Sequence, residues 1–101
     1  MINLTKYKEE VKDYTGDWTK ELSRNGSDTV SSSSWVEDSG GITIDSDSNT
    51  TKKATVWLSG GNNGETYTVE NVVITAGGRT LKRFLNIKVI EVSTKLISGQ
   101  Y

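Results

Sequence analysis

Apolar and polar residues alternate most cleanly between Ala54 and Val89, in the run ATVWLSGGNNGETYTVENVVITAGGRTLKRFLNIKV. Three period-two stretches are cut there by glycine-rich turns, the pattern of short antiparallel strands. Ala54, Val56 and Leu58 alternate with Thr55, Trp57 and Ser59, a half-buried strand that Gly60-Gly61-Asn62-Asn63-Gly64 closes. Thr66 to Thr75 reads as a long strand with Tyr67 and Val69 on one face and Val72 and Ile74 on the other. That change of parity predicts a bulge near Glu70-Asn71 or a central strand covered on both sides. Ala76-Gly77-Gly78-Arg79 predicts a hairpin turn. The last strand runs to about Val92, with Leu85, Ile87 and Val89 inward and Lys82, Phe84, Asn86 and Lys88 outward.

The N-terminal half is more polar. Tyr14, Gly16 and Trp18 alternate with Thr15, Asp17 and Thr19, predicting a first strand that extends toward Leu22. Residues 24–28 form a turn around Asn25-Gly26. Thr29 to Val36 reads as a strand despite its run of four serines, because Val30 and Trp35 flank them. Ser39-Gly40-Gly41 turns the chain, and Ile42 and Ile44 mark a short strand. Ser46 to Lys53 reads as polar loop. The sum is six strands in an all-β, immunoglobulin-like antiparallel β-sandwich. Residues 1–13 are expected to be an N-terminal arm, 14–92 the sandwich domain and 93–101 a C-terminal tail. Tyr67 opens a strand just after a glycine loop, the place of a tyrosine corner. Trp18 and Trp35 are expected in the core, and Gly77 and Gly78 in the turn.

At 101 residues there is room for one domain with a modest core. The chain contains neither cysteine nor histidine, so no disulfide, no cysteine-based zinc site and no Ser-His-Asp triad can form. Gly60-Gly61-Asn62-Asn63-Gly64 lacks the lysine of a phosphate loop. Asp45-Ser46-Asp47-Ser48-Asn49 starts like a calcium loop, but Thr50 and Val56 stand where glycine and glutamate are needed. Glu37-Asp38 reads as a solvated turn, with no nucleophile beside it. No catalytic, cofactor or metal site is expected.

Net charge is −1, so bulk attraction to nucleic acid is not expected. The charge is uneven, however: residues 1–50 hold ten acids and five bases, and residues 51–101 three acids and seven bases. Either these charges pair within the fold or they polarise the surface toward a partner. No apolar run is long enough to span a membrane, and the N-terminus is charged where a signal peptide is apolar. Location in a cytosol, or assembly there, is the expectation.

Trp57 lies between two inward residues, so alternation points it outward, the setting of an interface anchor. Phe84 is outward by the same count. With Tyr7 and Tyr101 in the two arms, they are the candidate interface aromatics.

The segments WLSGG, GETYTVEN, ITAGGRT and IKV resemble a family of small bacteriophage virion proteins, the fibre–tail adaptors. KEEVKDYTGDW and SSSSWV are similar too, so the likeness covers residues 8–92. The chain departs from the family pattern at Lys8-Glu9-Glu10, where a proline is usual, and in a longer C-terminal VSTKLISGQY. The resemblance implies a non-enzymatic subunit of a tailed phage, located on the tail and assembled in the host cytoplasm. It would attach a fibre to the tail in a symmetric, multi-copy arrangement, without nucleic-acid or membrane partners. Two alternatives stand beside it. One is a decoration or cement protein on the major capsid protein. The other is a carbohydrate-binding module, which would need a second exposed aromatic near Trp57, with Phe84 the candidate.

Overall fold

A computed structural model of the protein describes residues 2–24, 26–38 and 40–91. Its strands are β1 (Ile2–Tyr7), β2 (Lys12–Asp17), β3 (Val30–Glu37), β4 (Ile42–Asn49), β5 (Lys53–Gly60), β6 (Thr66–Thr75) and β7 (Thr80–Ile90), with one short helix, α1 (Thr19–Ser23), after β2. They form a four-stranded sheet in the order β1-β7-β6-β3 and a three-stranded sheet in the order β2-β5-β4. The protein is thus an all-β sandwich of immunoglobulin-like type.

Alternation builds the core. Val56 and Leu58 of β5, Val69 of β6 and Ile87 and Val89 of β7 have no exposed surface and pack together with Tyr14, Ile42 and Tyr67. A second cluster joins Trp18, Leu22, Val30, Ala54 and Val73 where α1 covers one end of the sandwich. Half-buried Trp35 packs against both clusters, and its indole N–H finds no acceptor among the described residues.

Four elements differ from the sequence expectation. Residues 2–7 are not an arm outside the core. They form β1, which pairs in parallel with β7, Ile2 opposite Leu85 through Tyr7 opposite Ile90. The strand hides in the sequence because its third inward position holds Lys6 rather than an apolar residue. The other half of the expected arm also differs, since Lys12 and Asp13 begin β2. That strand ends at Asp17, where Trp18 turns inward and α1 begins. Next, β4 continues through the expected loop as far as Asn49. It is an edge strand beyond a bulge at Ile44/Ser46, so its second half is solvated and needs no apolar residue. Finally, β6 has no bulge against β7, since Thr66 through Ile74 pair without a register shift. Tyr67, Val69, Asn71, Val73 and Thr75 are all buried, so the parity is constant and a polar residue occupies one inward slot. The remainder of the expected last strand and the tail, from Val92 to Tyr101, lies outside the described residues.

Asn71 earns that slot by joining the two sheets. Its Oδ1 accepts from Trp18 Nε1 at 3.0 Å, and its Nδ2 donates to Ser33 Oγ and to the Ser34 carbonyl, each at 3.0 Å. The indole can only donate and the carbonyl only accept, so the amide orientation is fixed.

Candidate functional site

The outer face of the three-stranded sheet carries Trp57, which is 41% exposed. Register sets it opposite Asp13 on β2 and Ser46 on β4. Around it the face is hydroxyl-rich: Thr15 and Thr55 share a hydrogen bond of 2.9 Å, and Ser59 Oγ donates to Asp45 Oδ1 at 3.0 Å. The indole is thus exposed in a polar, partly acidic surround.

Phe84, also 41% exposed, lies on the outer face of the opposite sheet. Its row runs from Phe84 through Glu70 to Val36, and Val36 and Ile74 are about half exposed. Trp57 and Phe84 therefore face away from each other across the thickness of the sandwich. A sugar-binding platform built on the two rings is excluded by this placement. Tyr7 is exposed at the end of β1, beside Ile90, and Tyr101 lies outside the described residues.

The two sheets end on one side at β1 and β2, each an edge strand. Between them runs a groove of about 710 Å³, floored by Leu4, Tyr14 and Leu85 and rimmed by Ile2, Lys12 and Arg83. Tyr14 Oη closes its base by donating to the Thr5 carbonyl at 3.1 Å. Burial, and secondarily Glu10, pushes the Tyr14 hydroxyl up to about 12. Such a phenol is a poor general base near neutrality.

Several polar residues that sequence reasoning missed hold this frame. Lys6 is fully buried, and its Nζ donates to the Tyr7 and Gly60 carbonyls at 2.9 Å and to the Lys8 carbonyl at 3.4 Å. Its ammonium ties the β1–β2 turn to the end of β5, and burial lowers its pKa. Arg83 lies over the Trp18 ring at 4.1 Å, pairs with Glu21 at 3.1 Å and donates to the Asp17 carbonyl. Asp28 binds Thr29 N, Gly77 N and Arg79 Nη1, each at 2.9 Å. With a further bond from Thr75, the largest cause, these hold its carboxyl down to about 2. A Cβ on Gly77 would come within 2.6 Å of Arg79 Nη1 and 2.8 Å of Asp28 Oδ2, so a larger residue there must displace that ion pair; Gly78 follows at φ 86°. The Asn62 N–H donates to Tyr67 Oη at 2.8 Å, five residues upstream, and the ring lies against the backbone of Gly41. A signal for Asn71 and Lys6 exists in the sequence: each is the one polar residue in an inward series, 67-69-71-73 and 2-4-6.

Among the described residues no group of three acidic, histidine or cysteine side chains is placed to hold a metal ion. Asp45, Asp47 and Asn49 lie along an extended strand rather than around a loop. No described helix is long and apolar enough to cross a membrane.

Fold and surface together define a β-sandwich with exposed aromatics on both outer faces and open strand edges along one side. The family described as podophage GP4 fiber-tail adaptor protein gp77 matches residues 6–88, and the chain belongs to that family. It is therefore a structural component of a phage particle. No curated protein sequence matches it. Among solved structures, the PKD domain from KIAA 1837 protein superimposes with a TM-score of 0.50 at 22% identity, over 91% of this chain and 81% of that one. A 2,6-sialyltransferase from Vibrionaceae Photobacterium sp. JT-ISH-224 superimposes with a TM-score of 0.56 at 11% identity, over 88% of this chain. The chain spans only 17% of that enzyme's length. At these identities the two likenesses speak to the sandwich fold alone.

Proposed function

We propose that this protein joins a tail fibre to the phage tail, as a non-enzymatic adaptor assembled in the host cytoplasm. The family match over residues 6–88 carries the reading. The geometry supports it in two ways. The β1/β2 side offers two strand edges over an apolar groove, where an extended segment of a partner can add as a further strand. The outer faces present Trp57 and Phe84 as separate anchors, so the module can be held from two sides at once.

Deleting the gene from the phage and examining purified particles tests this reading. Particles with a complete tail but no fibre, restored by adding the purified protein before the fibre, are the expected result. Particles with fibres still attached would remove the adaptor role.

A further inference from the structure

The outer faces of the two sheets differ in charge. Around Trp57 the face of the three-stranded sheet carries Asp13, Asp17 and Asp45 against Lys53. The face of the four-stranded sheet carries Lys82 and Lys88 against Glu70, on the same side as Phe84. Strand alternation sets all of these positions except that of Asp45, which lies in the β4 bulge and is held to this face by the Ser59 hydroxyl. Among the described residues, Asp13, Lys82 and Lys88 take part in no ion pair. The imbalance between the halves of the sequence is thus carried in part on opposite sides of one sandwich.

We propose that the acidic face around Trp57 docks onto the Lys82–Lys88 face of a second copy of this chain. The charges are complementary, and complementary potentials select orientation and register. Trp57 would meet an unpaired Lys82 ammonium, a cation–π partner, beside the exposed edge of Phe84. Two copies of the acidic face would instead bring Asp13 and Asp45 against their own equivalents. The contact is therefore heterologous, each copy using one face to receive and the other to give. Repetition of such a contact yields a ring where the rotation closes and an open filament where it does not. The inference deepens the adaptor reading and rests on it only for where such a ring would sit.

Three strands spaced about 4.8 Å, each of about six residues, give a flat area near 300 Å² per copy. That is well below the roughly 800 Å² per partner of a standard stable interface. Pairwise association is accordingly weak in isolation, and neighbours already held on a tail raise the effective concentration.

The test is a dilution series of the isotope-labelled full chain by NMR, from about 1 mM to about 50 µM, spanning the weak-complex range. Concentration-dependent shifts at the Trp57 indole and at the Lys82–Lys88 amides together are the expected result, diminishing with added salt. The double variant Lys82→Glu/Lys88→Glu, and separately Asp13→Lys/Asp45→Lys, should each weaken association at least about tenfold. Mixing these two variants should restore a dimer, since each keeps the face the other lacks. Unchanged spectra at every concentration, shifts on one face only, or no complementation in well-dispersed variants would overturn the proposal. Such a failure leaves the adaptor reading standing, because a single copy can still join fibre to tail. Fibres attached without the protein would end that reading and leave the self-docking result as measured.

Discussion

Replacing Asn71 with valine probes the polar contact that joins the sheets. Valine is close to asparagine in size, so the substitution removes bonding groups with little change of volume. The Trp18 indole N–H, on a residue only 2% exposed, then has no acceptor. A buried donor left unpaired costs about 1–3 kcal/mol. The Ser33 hydroxyl and Ser34 carbonyl sit on β3, an edge strand, where water can replace the lost bonds at about 0.5–1 kcal/mol each. Added apolar burial returns about 1 kcal/mol. The net expectation is a loss of about 1–4 kcal/mol, which lowers Tm by roughly 5–25 °C for a domain of this size. Thermal and urea unfolding followed by circular dichroism measure it. The source of the loss is checked in a Trp18→Phe background. There the donor is already gone, so Asn71→Val should cost at least about 1 kcal/mol less. A valine variant as stable as the parent, or an unchanged cost in the phenylalanine background, would refute the argument that this amide is retained for the indole.

The Asp28 carboxyl is held down to about 2 in the folded protein, against an ordinary value near 3.8. The unfolded chain therefore binds the proton first, and the stability Asp28 contributes is complete above the ordinary value and lost as pH falls toward 2. Urea midpoints measured from pH 5 to pH 2 should drop less steeply in Asp28→Asn than in the parent; equal slopes would discount the carboxylate. Tyr67→Phe removes the acceptor of the Asn62 N–H and should cost about 1 kcal/mol in thermal unfolding, because the exposed Asn62 can turn to water. Gly41→Ala drives a methyl into the Tyr67 ring, so it should destabilise by about 1–3 kcal/mol, and tolerance of alanine there would mean the ring is not held against that backbone. Trp57→Ala should leave Tm almost unchanged yet block incorporation into particles; a large fall in Tm would place the indole's role in folding instead.

What the sequence made legible follows from where burial writes itself into residue type. β5 and β7 are covered on one face and open on the other, so alternation names both their existence and their outward aromatics, Trp57 and Phe84. The second half of β4 is an edge that buries little and carries no apolar rhythm to read, and the rhythm of β1 stops after Ile2 and Leu4 because Lys6 takes the next inward position. Lys6 and Asn71 disturb the rhythm from the other direction. Each is an inward polar residue whose bonds go to partners distant in sequence, Gly60 for one and Trp18 for the other. Such a residue looks outward until the fold supplies its partner. The interaction surface shows the same division. Alternation gives the direction of each aromatic, but only the pairing of sheets shows that the two point away from each other.

The most direct test of the adaptor account is the copy number of the protein in purified particles, measured by quantitative mass spectrometry against the tail and capsid proteins. The account predicts a small number set by the rotational symmetry of the tail and matched to its fibres. A number in proportion to the major capsid protein would contradict it and make the protein a decoration of the head.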